Sequence, residues 1–358
     1  MTVTANPRAR DLGVPFDGTP GPFNAITDVP GVELGHTTLI RGEGKLVVGQ
    51  GPVRTGVTAI MPRGRSSLEP VFAAWFPLNG NGELTGAAWI DESGLLEGPI
   101  ATTNTHSVGV VRDTIVRWMV ERDPAIQWAL PVVTETYDGF LSDINGFHVH
   151  PEHVLAALES ARGGPVAEGN VGGGTGMRAF GFKAGIGTAS RIVGDYILGA
   201  LVQANFGKRE HLTIAGVPVG REIADLQPTE GDTGDGSIIV ILATNAPLLP
   251  HQLRRLAKRA ALGLARTGSV AEHSSGDLVV AFSTANDGLT RKGSTIELKM
   301  LANDQITPLF AAAVQATEEA IVNALVAATT MTGVNGRTVF ALPHDRLKEI
   351  LRNFNRLG

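Results

Sequence analysis

The sequence predicts a layered α/β sandwich. Its strand-like and helix-like segments come in clusters, not in the strict alternation of a Rossmann or barrel fold. No Pro/Ser/Gly linker or charge block divides the 358 residues, so a single domain is expected over 1–358. Forty-five glycines against 5% aromatic residues point to many tight turns and close backbone approaches. A chain of this length buries enough surface to hold a core without disulfides or a structural metal.

Residues 56–62 (GVTAIMP) and 131–134 (PVVT) are short, β-branched runs bounded by Gly or Pro, the signature of strands. Between them, Val108, Val111, Ile115, Met119 and Val120 recur at helical spacing over Ser107–Arg122. A second helix is expected up to Arg162, with Pro151 in its first turn and Gly163-Gly164 ending it. From Lys183 to Asn205, β-formers flank Gly194-Asp195, which predicts a hairpin. Residues 212–218 continue the apolar character. Residues 221–236 then carry five acids and three glycines without periodicity, a loop longer than compact domains usually hold. Directly behind it, Ser237–Thr244 is nearly all apolar, as a strand buried on both faces would be. Helices follow over Pro250–Arg266, from Thr307 to about Thr330, and after Pro343, with another strand at 277–284.

Composition excludes several chemistries. With no cysteine there is no disulfide, thiolate zinc site, cysteine nucleophile or iron–sulfur ligation. A net charge of −5 and no long basic run argue against nucleic acid. No stretch of ~18 apolar residues suggests a membrane span, and the N-terminal segment has no signal-like apolar core, so a soluble cytoplasmic protein is expected. Gly172–Gly176 lacks the lysine of a phosphate loop and fits backbone packing better. His148, His150 and His153 lack a carboxylate partner at familiar metal-site spacing and read as surface histidines; no metal or cofactor is expected. The basic face of 250–266 is expected to meet solvent or another subunit.

The junction Gly236-Ser237 stands out, because a flexible acidic loop meets a rigid buried strand at one peptide bond. If that bond is cut, Ser237 gains an α-amine of pKa about 8 that can serve as base for its own hydroxyl. Glycine before the serine leaves its carbonyl open to attack. The spacing alone equally fits an acidic surface loop followed by a strand.

Segments 24–39, 89–109, 133–146, 168–177, 182–191, 201–207 and 234–248, in that order, resemble the DmpA family of L-aminopeptidase/D-esterases and β-peptidyl aminopeptidases. The resemblance implies an α/β/β/α sandwich of the type shared with ornithine acetyltransferases. It also implies a precursor that cuts itself before a serine, here into residues 1–236 and 237–358, and a homo-oligomer, a tetramer in the family pattern, acting on a small peptide, amide or ester. By the same resemblance Ser237 is the nucleophile, Asn205 (QANFG) and Tyr137 (TETYDG) stabilise the oxyanion, and Glu135 grips the substrate's amino group. Amide N–H and phenol O–H groups suit a developing oxyanion, and a fixed anion suits the ammonium that marks a chain end. Residues 135 and 137, two apart on a strand, share a face. Ser275 and Asp277 (HSSGD) match the serine and carboxylate that orient the nucleophile and its amine; β-aminopeptidases carry glutamate, one methylene longer, at the second position. Each of these residues also fits an ordinary core, strand-end or turn position. An acetyl-transferring relative is the nearest rival enzyme, although such enzymes place alanine and threonine at the cut. A non-catalytic binding protein of the same fold is the other alternative.

Overall fold

The computed structural model describes residues 6–229, 236–290 and 295–357. Two sheets face one another. The first has the order β1 (Glu33–Arg41), β2 (Val53–Met61), β5 (Ile100–Asn104), β6 (Val132–Thr136). The second runs β4 (Leu95–Leu96), β3 (Val71–Pro77), β12 (Asp277–Ser283), β11 (Ser237–Thr244), β10 (Tyr196–Asn205), β9 (Ile186–Val193). Short ribbons β7–β8 (Arg178–Ala179, Phe182–Lys183) and β13–β14 (Met331–Thr332, Thr338–Val339) complete the strands. The helices are α1 (Ala87–Ser93), α2 (Val108–Arg122), α3 (Pro151–Ser160), α4 (Val219–Glu222), α5 (Pro250–Arg266), α6 (Thr307–Val326) and α7 (His344–Asn353).

Strand alternation builds the layers. On β11, Ile238, Val240 and Leu242 pack with Leu253 and Leu256 of α5 and Ala316 and Ala320 of α6. Ile239 and Ile241 turn the other way, onto Ile60, Ile100 and Val132 of the first sheet. The outer face of that sheet, through Val57, Ala59 and Val133, packs on α2 and α3. The result is an α/β/β/α sandwich with three apolar layers, as expected. Among the described residues α6 is long and apolar enough to cross a membrane, yet most of it is buried inside this core.

The hairpin turns at Gly194, φ +57°, between β9 and β10, and β11 is buried along its whole length. The apolar run 212–218 forms a tight turn closed by the Ile214–Val217 bridge, with Ala215 and Gly216 at positive φ. Two expectations need correction. The expected loop 221–236 begins within α4, and residues 230–235 lie outside the described residues. The long helix from Thr307 stops at Val326, four residues early.

Nor is His148 a surface histidine. It is buried, its Nε2 2.8 Å from Asp143 Oδ2 and its Nδ1 2.9 Å from the Arg41 guanidinium, and this pairing braces the loop before α3. His150 and His153 stay near the surface, joined through the His150 N–H to His153 Nδ1. No group of three or more His, Asp or Glu side chains suited to a metal occurs among the described residues. The triple glycine is packing, as anticipated. The Gly172 and Gly173 N–H groups donate to Thr38 and Thr58 hydroxyls, and a Cβ on Gly173 would lie 2.2 Å from Gln203 Oε1. On α5 the basic face meets both solvent and protein: Arg254 and Lys258 are exposed, Arg254 also pairs with Asp91, and Arg259 lies 4.0 Å over the Phe310 ring.

Candidate active site

Ser237 opens β11 at the end of the inter-sheet layer. Antiparallel pairing places it directly opposite Asn205, the last residue of β10, so both side chains leave the sheet on the same face. Parallel pairing on the other side sets Ile238 against Asp277. Gly236 lies so close to β10 that a Cβ there would stand 1.9 Å from the Asn205 carbonyl oxygen, and only glycine fits.

Around the serine is a cavity of about 340 Å³ lined by Asn81, Thr105, Glu135, Tyr137, Gly236, Ser237 and Ser274. Four larger cavities, of about 350 to 560 Å³, have no serine in their walls among the described residues. The Ser237 hydroxyl oxygen accepts the Gly276 N–H at 3.0 Å. Gly276 must itself be glycine, because the Asn81 carbonyl oxygen lies 2.2 Å from where its Cβ would stand. That approach belongs to a loop clamped across the turn before β12, with Asn81 Nδ2 donating to the Ser274 carbonyl at 2.7 Å and the Asn81 N–H to Ser275 at 3.3 Å.

Glu135 is 4% exposed, and its two oxygens accept one donor each, the Glu83 N–H at 3.1 Å and the Thr105 hydroxyl. Burial pushes its carboxyl above the ordinary range, opposed by those two hydrogen bonds. Nearby Asp138, wholly buried, is pushed up to about 7 by the same desolvation, although Asn104 Nδ2 donates to it at 3.0 Å. Among the described residues, no lysine or arginine lines the cavity. A buried carboxylate without a cation is costly, and an incoming ammonium offsets that cost.

Tyr137 is 52% exposed at the cavity rim, its hydroxyl lying over Gly139. Asn205 is buried beside the cavity rather than in its wall. Its Oδ1 accepts the Arg178 N–H at 3.1 Å and its Nδ2 donates to the Tyr137 carbonyl at 3.0 Å, which fixes the amide plane and leaves the second Nδ2 hydrogen without an acceptor among the described residues. Ser275 and Asp277 are bonded to each other, hydroxyl to Oδ1, and Oδ1 also accepts the Ile238 N–H at 3.2 Å. Among the described residues, neither is hydrogen-bonded to the Ser237 hydroxyl. Asp277 Oδ2 is buried with no hydrogen-bond partner among the described residues. Burial raises this carboxyl to about 6, against the Ser275 and Ile238 hydrogen bonds.

A sequence model of peptidase family S58 matches residues 24–339, nearly the whole chain. The chain belongs to peptidase family S58. It is 57% identical to beta-peptidyl aminopeptidase BapA of Sphingosinicella microcystinivorans, over 98% of this chain and 93% of that one. Its identity to BapA of Sphingosinicella xenopeptidilytica is 50%, over 97% and 92%. Among solved structures, the L-aminopeptidase D-Ala-esterase/amidase of Ochrobactrum anthropi, described as a variant of the Ntn hydrolase fold, superposes with a TM-score of 0.93 at 48% identity, covering 98% of this chain and all of that one. A Burkholderia beta-aminopeptidase gives 0.90 at 52% identity, covering 97% and 99%. The S58 chain described here is thus a hydrolase with aminopeptidase function.

In this S58 enzyme the fold brings Ser237, Glu135 and Tyr137 to one cavity and sets Asn205, Ser275 and Asp277 behind it. Asn81, Thr105, Ser274 and Gly276 escaped the sequence reading. Thr105 and Asn81 follow no spacing rule relative to Ser237, and Ser274 and Gly276 lie inside HSSGD, where only Ser275 and Asp277 drew notice.

Proposed function

We propose that this protein is a self-processing N-terminal-serine aminopeptidase that removes β-amino-acid residues from peptides and amides. One observation carries the reading: a serine at the start of a buried strand shares a small cavity with a buried carboxylate that has no cation partner there among the described residues. The β-residue preference rests on the likeness to two relatives named beta-peptidyl aminopeptidase.

In the precursor, Ser237 Oγ attacks the Gly236 carbonyl carbon, and the C–N bond breaks as the acyl group moves from nitrogen to oxygen. Water hydrolyses that ester, releasing the Gly236 carboxylate and leaving Ser237 with a free α-amine. Asp277 Oδ2, buried and without a partner among the described residues, suits an N–H of the new α-amine, which it can orient. In turnover the amine takes the Ser237 proton as Oγ attacks the substrate carbonyl and then gives it to the leaving amine, and water hydrolyses the acyl-enzyme. Asn205 and Tyr137 donate to the oxyanion, and Glu135 holds the substrate ammonium. Such protomers assemble as a homo-oligomer, a tetramer on the family pattern, and act in the cytoplasm.

Ser237→Ala tests the assignment. The variant is expected to run as one uncut band of 37.5 kDa on denaturing electrophoresis and to lose at least a hundredfold in p-nitroaniline release. A cleaved, active Ser237→Ala protein refutes it. A panel of α- and β-aminoacyl p-nitroanilides reads the substrate class, with equal or better turnover of the α series overturning the β assignment.

A further inference from the structure

Lys183 is fully buried on β8, and no acid among the described residues pairs with it. Its Nζ donates to the Met177 carbonyl at 2.6 Å and to the Ala184 carbonyl at 2.7 Å. Burying an amine is expensive, and burial holds this one well below the usual lysine range. Satisfying Met177 does not require it, since that carbonyl already accepts the Ala184 N–H at 3.2 Å. An apolar side chain of the same length would fill the slot without that cost.

The Met177 carbonyl belongs to the same peptide unit as the Arg178 N–H, and that N–H donates to Asn205 Oδ1. Asn205 Nδ2 in turn donates to Tyr137. One hydrogen-bonded line therefore runs from Lys183 through a single peptide group to the side chain opposite Ser237. Linked amides polarise one another, so a donor on the carbonyl end strengthens the N–H at the other end. We propose that Lys183 is a positioning residue, which fixes and polarises the Met177–Arg178 peptide so that Asn205 presents its free N–H to the oxyanion. This rests on the reading of Asn205 as an oxyanion donor.

The test is Lys183→Met, Asn205→Ala and the double variant in the full chain, with kcat and KM for an aminoacyl p-nitroanilide expressed per cleaved chain. Lys183→Met is expected to lower kcat about tenfold at unchanged KM, a fraction of the ~10²–10³ that a direct oxyanion donor supplies. In the Asn205→Ala background it is expected to cost nothing more, because the line then ends before the site. A loss that is the same in both backgrounds, or a rise in KM alone, overturns the proposal in favour of a merely structural lysine. If Asn205→Ala keeps full kcat, the oxyanion reading itself falls, and the proposal with it. Should Lys183→Met not fold, Lys183→Gln retains a shorter donor and is expected to lose kcat several-fold at constant KM. Wild-type kcat in that variant also overturns the proposal.

Discussion

Replacing Glu135 by glutamine removes one negative charge and almost nothing else. The glutamine carbonyl can still accept the Glu83 N–H, and its amide can donate to the Thr105 oxygen, so both native contacts have a neutral equivalent. What is lost is the anion that meets the substrate ammonium in a site 4% exposed to water. A charge-assisted hydrogen bond contributes about 1.5–3 kcal/mol, and 1.4 kcal/mol is tenfold, so kcat/KM for a free-amine substrate should fall roughly ten- to a hundredfold. The same change should narrow the preference for a free amine over its N-acetyl analogue. Steady-state hydrolysis of paired aminoacyl and N-acetyl-aminoacyl p-nitroanilides measures both. The wild-type pH profile supplies a second readout. Burial raises the Glu135 carboxyl above its ordinary 4.5, so ammonium capture is present at high pH and fades as pH falls through that raised value. Glu135→Gln should lack this acid limb. A variant that keeps the wild-type kcat/KM and amine preference would refute the role given to Glu135.

Gly236→Ala puts a Cβ 1.9 Å from the Asn205 carbonyl oxygen, a backbone contact that cannot yield easily; the precursor should lose about 1–3 kcal/mol and cut itself more slowly, as denaturant melts and a time course of fragment appearance would show. In the uncut Ser237→Ala chain, Asp277 titrates at about 6 instead of 3.8, so the folded state binds the extra proton between those values. Stability should therefore fall by about 3 kcal/mol as pH rises through that window, and adding Asp277→Asn should abolish that part of the slope in urea melts at pH 4, 5 and 6. An unchanged slope would show that Asp277 is already ionised in the precursor.

Much of the framework is legible in the residues alone. Helix α5 matches its expected bounds because its apolar residues recur every three to four positions and Pro250 starts it. Strand β11 is legible because eight residues buried on both faces leave little room for polar side chains. Strand β1 escapes because it is half exposed and mixes His36, Thr37 and Thr38 with apolar neighbours, and short α1 because its caps are both glycine in the left-handed region. The family likeness marked Ser237, Glu135 and Tyr137, and the fold gathers them in one cavity.

The amino-acid order by itself determined where the strongly patterned strands and helices form and where a serine follows a glycine at a strand start, since periodicity, Pro and Gly act over a few neighbouring residues. Only the tertiary structure decided what surrounds that serine. Register sets Asn205 opposite Ser237 and Asp277 beside Ile238. A loop some 190 residues away in sequence brings Asn81 onto Gly276, and burial turns His148 and Lys183 inward. Those contacts depend on how two sheets stack, which no local pattern encodes, because each is settled by the packing of side chains that come from distant parts of the chain.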